Sequence, residues 1–201
     1  MPINGERIAK WISILFHPFL VAAPVFLIVS LSCAPRVADG LLWWAIIAIG
    51  VSAGPFAFIS RGVRRGKWTD SDLSVREQRL VPFLVTIGCM AAVWLVLLAL
   101  NAAGELLAAF AGMTFAVVSA LLITHLAKWK ISLHLIGITG AVLAIGLLAS
   151  PIGYALAPLI PLVGWARWKV RAHTPAQAAA GAALAAFATL AAMALFGVGA
   201  A

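Results

Sequence analysis

The chain has 201 residues, of which 64% are hydrophobic and only 10% charged, and its formal net charge is +8. Soluble domains average about 25% charged residues, and a soluble domain of this length cannot bury so much apolar surface. Lipid is therefore the solvent for much of the chain. The positive charge lies in short loops between apolar runs, which argues against nucleic acid and for a membrane surface, or a phosphate at that surface, as partner.

Arg7 and Lys10 precede an apolar stretch that is too long for a signal-peptide core. It reads as a retained first span over residues 11–33, ended by Ala34-Pro35-Arg36. A second span is expected over residues 41–60, followed by the longest polar stretch, residues 61–79. The third covers residues 80–100 and the fourth residues 106–127, with a turn at Asn101–Glu105 between them. Lys128-Trp129-Lys130 interrupts before a fifth span over residues 132–149, which Pro151 ends. A shorter sixth runs over residues 152–166 with Pro158 and Pro161 inside it. The seventh, residues 175–198, is rich in Ala and Gly, and Ala178, Gly181 and Ala185 suit close helix packing in lipid. Cys33 and Cys89 match no metal or redox spacing and read as small apolar fillers. The expected fold is all-α: a polytopic membrane bundle of about seven transmembrane helices, one domain over residues 1–201, without internal repeat.

Seven spans put the loops alternately on two sides. Thirteen of the fourteen Lys and Arg then share one side, with Arg36 alone opposite. The positive-inside rule makes the crowded side cytoplasmic, so the N-terminus is expected inside and the C-terminus, Ala201, outside. Trp11, Trp68, Trp129, Trp165 and Trp168 line the same boundary, and Trp43 and Trp44 mark the other. The sixth span is the weak element. At about 1.5 Å per residue, residues 152–166 reach about 22 Å, short of a core of about 30 Å, and a non-spanning sixth segment would put the loops at Lys130 and Arg167 on different faces.

This alternation brings three polar segments together at helix starts: Arg76-Glu77-Gln78-Arg79-Leu80-Val81-Pro82, Lys130-Ile131-Ser132-Leu133-His134, and residues 167–177. Helix N-termini favour anions through free N–H groups and the dipole. Arg matches phosphate oxygens in bidentate fashion. His can attack phosphorus or protonate a leaving oxygen near neutral pH. The segments thus describe a phosphate site with Arg76, Arg79, Lys130, Arg167 and Arg171 as candidate binding groups and His134 and His173 as its acid and nucleophile.

These residues resemble the type 2 phosphatidic acid phosphatases, whose signature is Lys-x6-Arg-Pro, Pro-Ser-Gly-His and Ser-Arg-x5-His-x3-Asp. The third element reads Ala166-Arg167, five residues, His173, three residues, Gln177, with Ala for Ser and Gln for Asp. The second keeps Ser132 and His134. In the first, Arg79 is followed by Leu-Val-Pro82, and Asp72 stands where the family has Lys. The wording, with His17-Pro18 near the start, resembles a divergent bacterial branch, which implies an inner-membrane location. The resemblance covers about residues 76–181. It implies a six-helix phosphatase core plus one helix, and no metal or other cofactor. His173 would be the phosphorylated nucleophile and His134 the acid. Arg79, Arg167 and Ser132, with Arg76, would hold the phosphoryl oxygens. Gln177 could orient His173 but could not stabilise its imidazolium as a carboxylate would, a task left to Asp70, Asp72 or Glu77. The substrate would be a lipid phosphate of phosphatidate or polyprenyl type.

Other readings of the same residues stay open. Thr174-Pro175-Ala176-Gln177 is also a plain capping box. His17 and His125 read as interfacial polar residues, Asp70 and Asp72 as a solvated loop, and Arg61, Arg64, Arg65 and Lys67 as headgroup contacts. A non-catalytic lipid-phosphate binder or flippase fits the missing Asp and Lys. A prenyltransferase of the UbiA type is faintly suggested by Trp68-Thr69-Asp70-Ser71-Asp72, but it needs paired Asp clusters for magnesium diphosphate, and this chain offers only one.

Overall fold

Backbone polar groups in lipid must be satisfied within their own segment, which leaves helices as the economical solution for an apolar chain. The computed structural model describes residues 5–198, and both chain ends, including Ala201, whose sidedness the charge pattern predicts, lie outside them. Among the described residues there are helices and turns and no strands. They are α1 (Gly5–Leu15), α2 (Pro18–Cys33), α3 (Val37–Ile47), α4 (Gly54–Arg64), α5 (Leu80–Ala99), α6 (Gly104–His125), α7 (Leu133–Leu148), α8 (Leu159–Lys169) and α9 (Pro175–Leu195).

The predicted first span is two helices. Pro18 has no amide proton, so the α1 ladder cannot continue through it. His17 caps the new start, its Nδ1 accepting from the Phe19 amide at 3.4 Å, and the two axes differ by 48°. α3 and α4 join through a π-helical stretch, Ala48–Ala53, into 28 continuous helical residues. A 3-10 turn, Arg76–Arg79, leads into α5.

The expectation of about seven spans is corrected. Four helical segments are long and apolar enough to cross a membrane, Val37–Arg64, Arg76–Ala99, Gly104–His125 and Pro175–Leu195, and a fifth if the bent α1–α2 pair counts as one. The predicted fifth span is α7, of 16 residues, about 24 Å long. The predicted sixth becomes a 3-10 turn, Pro151–Leu156, and the 11-residue α8, about 16 Å long, because Pro151 and Pro158 each remove a ladder donor. α7 needs no full length. It packs against α2, α6, α8 and α9, and protein rather than lipid surrounds it, with His134, Ile138, Ala141, Val142 and Ile145 all buried.

Small residues allow this packing. At Gly181 an added Cβ would stand 2.6 Å from the Ser132 carbonyl oxygen, and at Gly112 it would stand 3.0 Å from Thr189 Cα. The stripe Ala178, Gly181, Ala185 is buried as its spacing predicts. The apolar core centres on Val29, Ile47, Met90, Leu97, Leu106 and Phe110, while Leu84, Leu95 and Phe187 face outward, where lipid would take them. Gly181→Ala should push α9 off α7 and cost about 1–3 kcal/mol, read as a lower unfolding temperature in detergent. Gly88→Ala, where a Cβ meets nothing within 4 Å, should be neutral or stabilising by up to about 1 kcal/mol.

Candidate active site

Four chain breaks meet at one end of the bundle: the α1–α2 bend, the 65–75 loop, the start of α7 and the α8–α9 turn. Buried side chains tie them together. Arg79, 3% exposed, donates from Nε to the Leu73 carbonyl at 2.9 Å and from Nη1 to the Ile131 carbonyl at 3.2 Å. Lys130 Nζ donates to the Ala172 carbonyl at 3.0 Å. Arg167, 2% exposed, donates from Nη1 to Asp72 Oδ2 at 2.7 Å, and Asp72 Oδ1 lies 3.4 Å from His17 Nε2. The three polar segments read from the sequence therefore do converge. They do so although α7 and α8 are short, because the pair turns back and returns to the end it left.

The loops hold strained backbone. Leu73, Lys128 and Arg171 have φ of 50°, 51° and 56° without being glycine, a left-handed conformation that costs about 1–2 kcal/mol each. Leu73 shows what the strain accompanies, since its carbonyl receives Arg79.

His173 is buried just before α9. Its Nδ1 is 3.3 Å from the Lys130 carbonyl oxygen and 3.3 Å from Gln177 Oε1. Gln177 Oε1 also accepts from the Thr174 amide at 3.1 Å, so both neighbours of Nδ1 are acceptors. Nδ1 must therefore carry the proton, and Nε2 is left with a free lone pair. Gln177 combines both arrangements that the sequence left open, because its backbone N–H also donates to Thr174 Oγ1 at 3.2 Å and closes the capping box. Burial, then the charges of Arg79, Lys130 and Arg167, push the His173 imidazole down to about 3, so it is neutral at physiological pH. Burial and the two arginines lower the Lys130 ammonium to about 8. Burial drives the Asp72 carboxyl upward, but Arg167 foremost outweighs it and holds the group below its ordinary value.

His134, in the first turn of α7, donates from Nε2 to the Ser13 carbonyl at 3.1 Å, and its ring centroid lies 5.5 Å from that of His17. Ser132 is fully buried at the N-cap of α7, and its Oγ has no partner; neither has Arg167 Nε. Buried polar atoms without partners are rare in native folds and call for an explanation. Arg167 lines the cavity described next, where an oxyanion would satisfy its Nε; Ser132 does not line it. His17, Asp72, Arg79, His134, Arg167 and His173 line the polar end of a cavity of about 150 Å³.

Of the predicted phosphate ligands, Lys130 and Ser132 belong to the joined loops without lining the cavity, and two others are not brought in. Arg76 is half-buried and pairs with the adjacent Glu77 at 2.5 Å, and Arg171 is exposed on its strained turn. Neither lines the cavity. Two residues of the site, His17 and Asp72, read in the sequence as an interfacial histidine and a solvated aspartate. The available signal was an acid seven residues before Arg79 in an otherwise cationic stretch. No protein-family profile, curated protein or solved structure matches this chain.

Asp72 is the carboxylate in contact with Arg167, and removing one partner of a buried pair strands the other charge, at about 3–5 kcal/mol. Asp72→Ala should destabilise the protein on that scale. Asp70→Ala should cost only about 1 kcal/mol, since Asp70 merely accepts from the Ser74 amide. Denaturation of both variants beside wild type measures the difference.

Proposed function

We propose that this chain is an integral membrane phosphatase acting on a lipid phosphate through a phosphohistidine. One observation carries the reading: a buried His173 whose Nδ1–H is held by two carbonyl oxygens, so that Nε2 keeps its lone pair on a cavity wall shared with Arg167, whose buried Nε has no partner. A phosphoryl group is what this combination of a neutral nucleophile and surplus cationic donors accepts. Nε2 attacks phosphorus, the bond to the lipid oxygen breaks, and the phosphoryl group is carried on the ring. Arg167 and Arg79 on the cavity wall take the charge that develops on the equatorial oxygens, and the Lys130 charge, felt at His173, adds to them. His134, held through Nε2 on the Ser13 carbonyl, protonates the departing oxygen from Nδ1. Water then gives a proton to His134 and attacks the phosphohistidine, which releases inorganic phosphate and restores both rings.

The resemblance to type 2 phosphatidic acid phosphatases supports this assignment of roles, and the substitution of Gln177 for the family's Asp qualifies it. A neutral amide orients the ring but stabilises its cationic, phosphorylated form less than a carboxylate, which favours slow turnover. The same substitution supports the second reading, a lipid-phosphate binder without turnover. The prenyltransferase reading loses its magnesium ligands, because Asp72 is paired with Arg167 and His17, and Asp70 with the Ser74 amide.

Phosphate release from a lipid monophosphate in nanodiscs, with chelator present, tests the proposal. His173→Ala should abolish release while the variant remains folded, and denatured wild type quenched during turnover should carry acid-labile, alkali-stable phosphate. The rate should fall as pH rises through about 8, because Lys130 is a cation below that value and neutral above it. Lys130→Arg should keep the charge and remove that fall. Release that persists in His173→Ala would overturn the mechanism.

We infer further that the site faces the cytoplasm of a bacterial inner membrane. The support is the charge distribution, thirteen cations against one, which is too lopsided for the presumed phosphate ligands to account for. The return of α8 to the end where α7 begins keeps the Lys130 and Arg167 loops on one side whether or not that pair crosses the bilayer. Single cysteines at Lys67, Lys128 and Lys169 should all resist a membrane-impermeant thiol reagent in intact cells. Labelling of all three from outside would reverse the orientation.

A further inference from the structure

The cavity does not end at the polar groups. Below them each wall helix continues as a stripe of apolar or small residues on the same face that carries its polar residue. On α7, His134 is followed at helical spacing by Gly137, Ala141 and Ala144. On α5, Arg79 at its start is followed by Phe83, Thr86 and Met90, and on α2 the capping His17 is followed by Val21 and Val25. Ten residues from His134 to Ala144 make a depth of about 15 Å. At the bottom Phe26 rests on Phe110, ring centroids 6.0 Å apart, and the core closes around Val29, Leu97 and Leu106, all fully buried.

We propose that this apolar chamber holds one hydrocarbon chain of the substrate inside the bundle, so that the preferred ligands are single-chain lipid phosphates and not two-chain glycerolipids. The proposal rests on the phosphate reading of the polar end, which sets where the head of the ligand lies. Three observations carry it. The chamber is continuous with the site, so a chain entering it is attached to a phosphate at the cationic end. Its volume, about 150 Å³, is that of a cavity filled by a benzene-sized group, so it has no room for two chains side by side and holds part of one. Its depth is that of about twelve extended bonds, at about 1.2 Å per backbone bond of an extended chain.

Selection follows from shape, not from hydrophobicity. A chain leaving the bilayer for the chamber exchanges one apolar medium for another, so burial alone gives little preference for either place. What the chamber adds is a fixed width and a floor. Gly140 is the place to block it: it lines the wall, and an added Cβ there meets only Thr189 Oγ1, at 4.0 Å. The backbone accepts a larger residue whose outer carbons then occupy the chamber.

The test uses the full-length protein in nanodiscs and a probe that is not turned over, an n-dodecyl phosphonate with a diazirine at the far end of the chain. After irradiation, cross-linked peptides are mapped by mass spectrometry. Wild type should be labelled around Phe26, Met90 and Ala144, and this internal label should fall at least tenfold in Gly140→Leu, with an excess of unlabelled dodecyl phosphonate competing in wild type. Labelling confined to outward-facing residues such as Leu84, Leu95 and Phe115, or internal labelling undiminished in both Gly140→Leu and a second variant, Ala144→Phe, overturns the chamber. No step of the experiment depends on phosphate release. A protein that labels internally yet hydrolyses nothing loses the phosphatase reading and keeps the chamber, and one that hydrolyses but labels only outside does the reverse.

Discussion

The ion pair between Arg167 and Asp72 joins residues 95 positions apart and sets the level at which the helices meet. Arg167 is buried, and a buried guanidinium is tolerated only with a partner. Meeting that need draws the 65–75 loop down over the ends of α7, α8 and α9. Once there, the loop presents the Leu73 carbonyl to Arg79, and Arg79 in turn reaches the start of α7. Lys130 then closes the circuit to the α8–α9 turn. Every polar contact that aligns His173 with the cavity depends on these loops being in register, and the bent backbone at Leu73, Lys128 and Arg171 is the conformational cost of that register.

The circuit also explains why the site is electropositive without being unstable. Arg79 and Lys130 spend their protons on backbone carbonyls, which are partial charges and do not neutralise them. Asp72 offsets Arg167 alone. Positive potential is left over in a place that excludes most water, where each remaining donor acts strongly on an anion. Burial first, and this potential after it, keep His173 neutral, so the groups that would hold a phosphate also favour the ring form that can attack.

Much of this arrangement was legible in the sequence. The spacing of Arg167, His173 and Gln177, the capping box at Thr174, and the convergence of three polar segments follow from residue order and alternation of apolar runs. The small-residue stripe of α9 follows from helical period. What could not be read has physical reasons. Hydropathy counts residues that avoid water and does not distinguish lipid from protein as their surroundings, so the buried α7 looked like a span. The proline-broken α8 looked like one because its side chains are apolar, although its backbone is too short. Asp72 looked solvated because its partner is distant in sequence, and long-range pairing of a loop acid leaves no local trace. Arg76 looked like a ligand by proximity to Arg79, yet its guanidinium pairs with the adjacent Glu77, while the Leu73 and Ile131 carbonyls draw Arg79 into the interior.

On each wall helix the site residue and the chamber lining occupy one stripe, and this has a consequence for how the protein can evolve. A residue inserted or deleted between His134 and Ala144, or between His17 and Phe26, would rotate everything beyond it by about 100° and turn the lining toward the wrong neighbour. Length changes in these helices are therefore confined to the far end of the bundle, near residues 34–36 and 100–103, where turns can absorb them. Point substitutions that alter chamber depth remain open at any lining position. Divergence in this lineage should accordingly proceed by side-chain replacement within a fixed helical frame, and relatives should align through residues 17–26 and 134–144 without gaps.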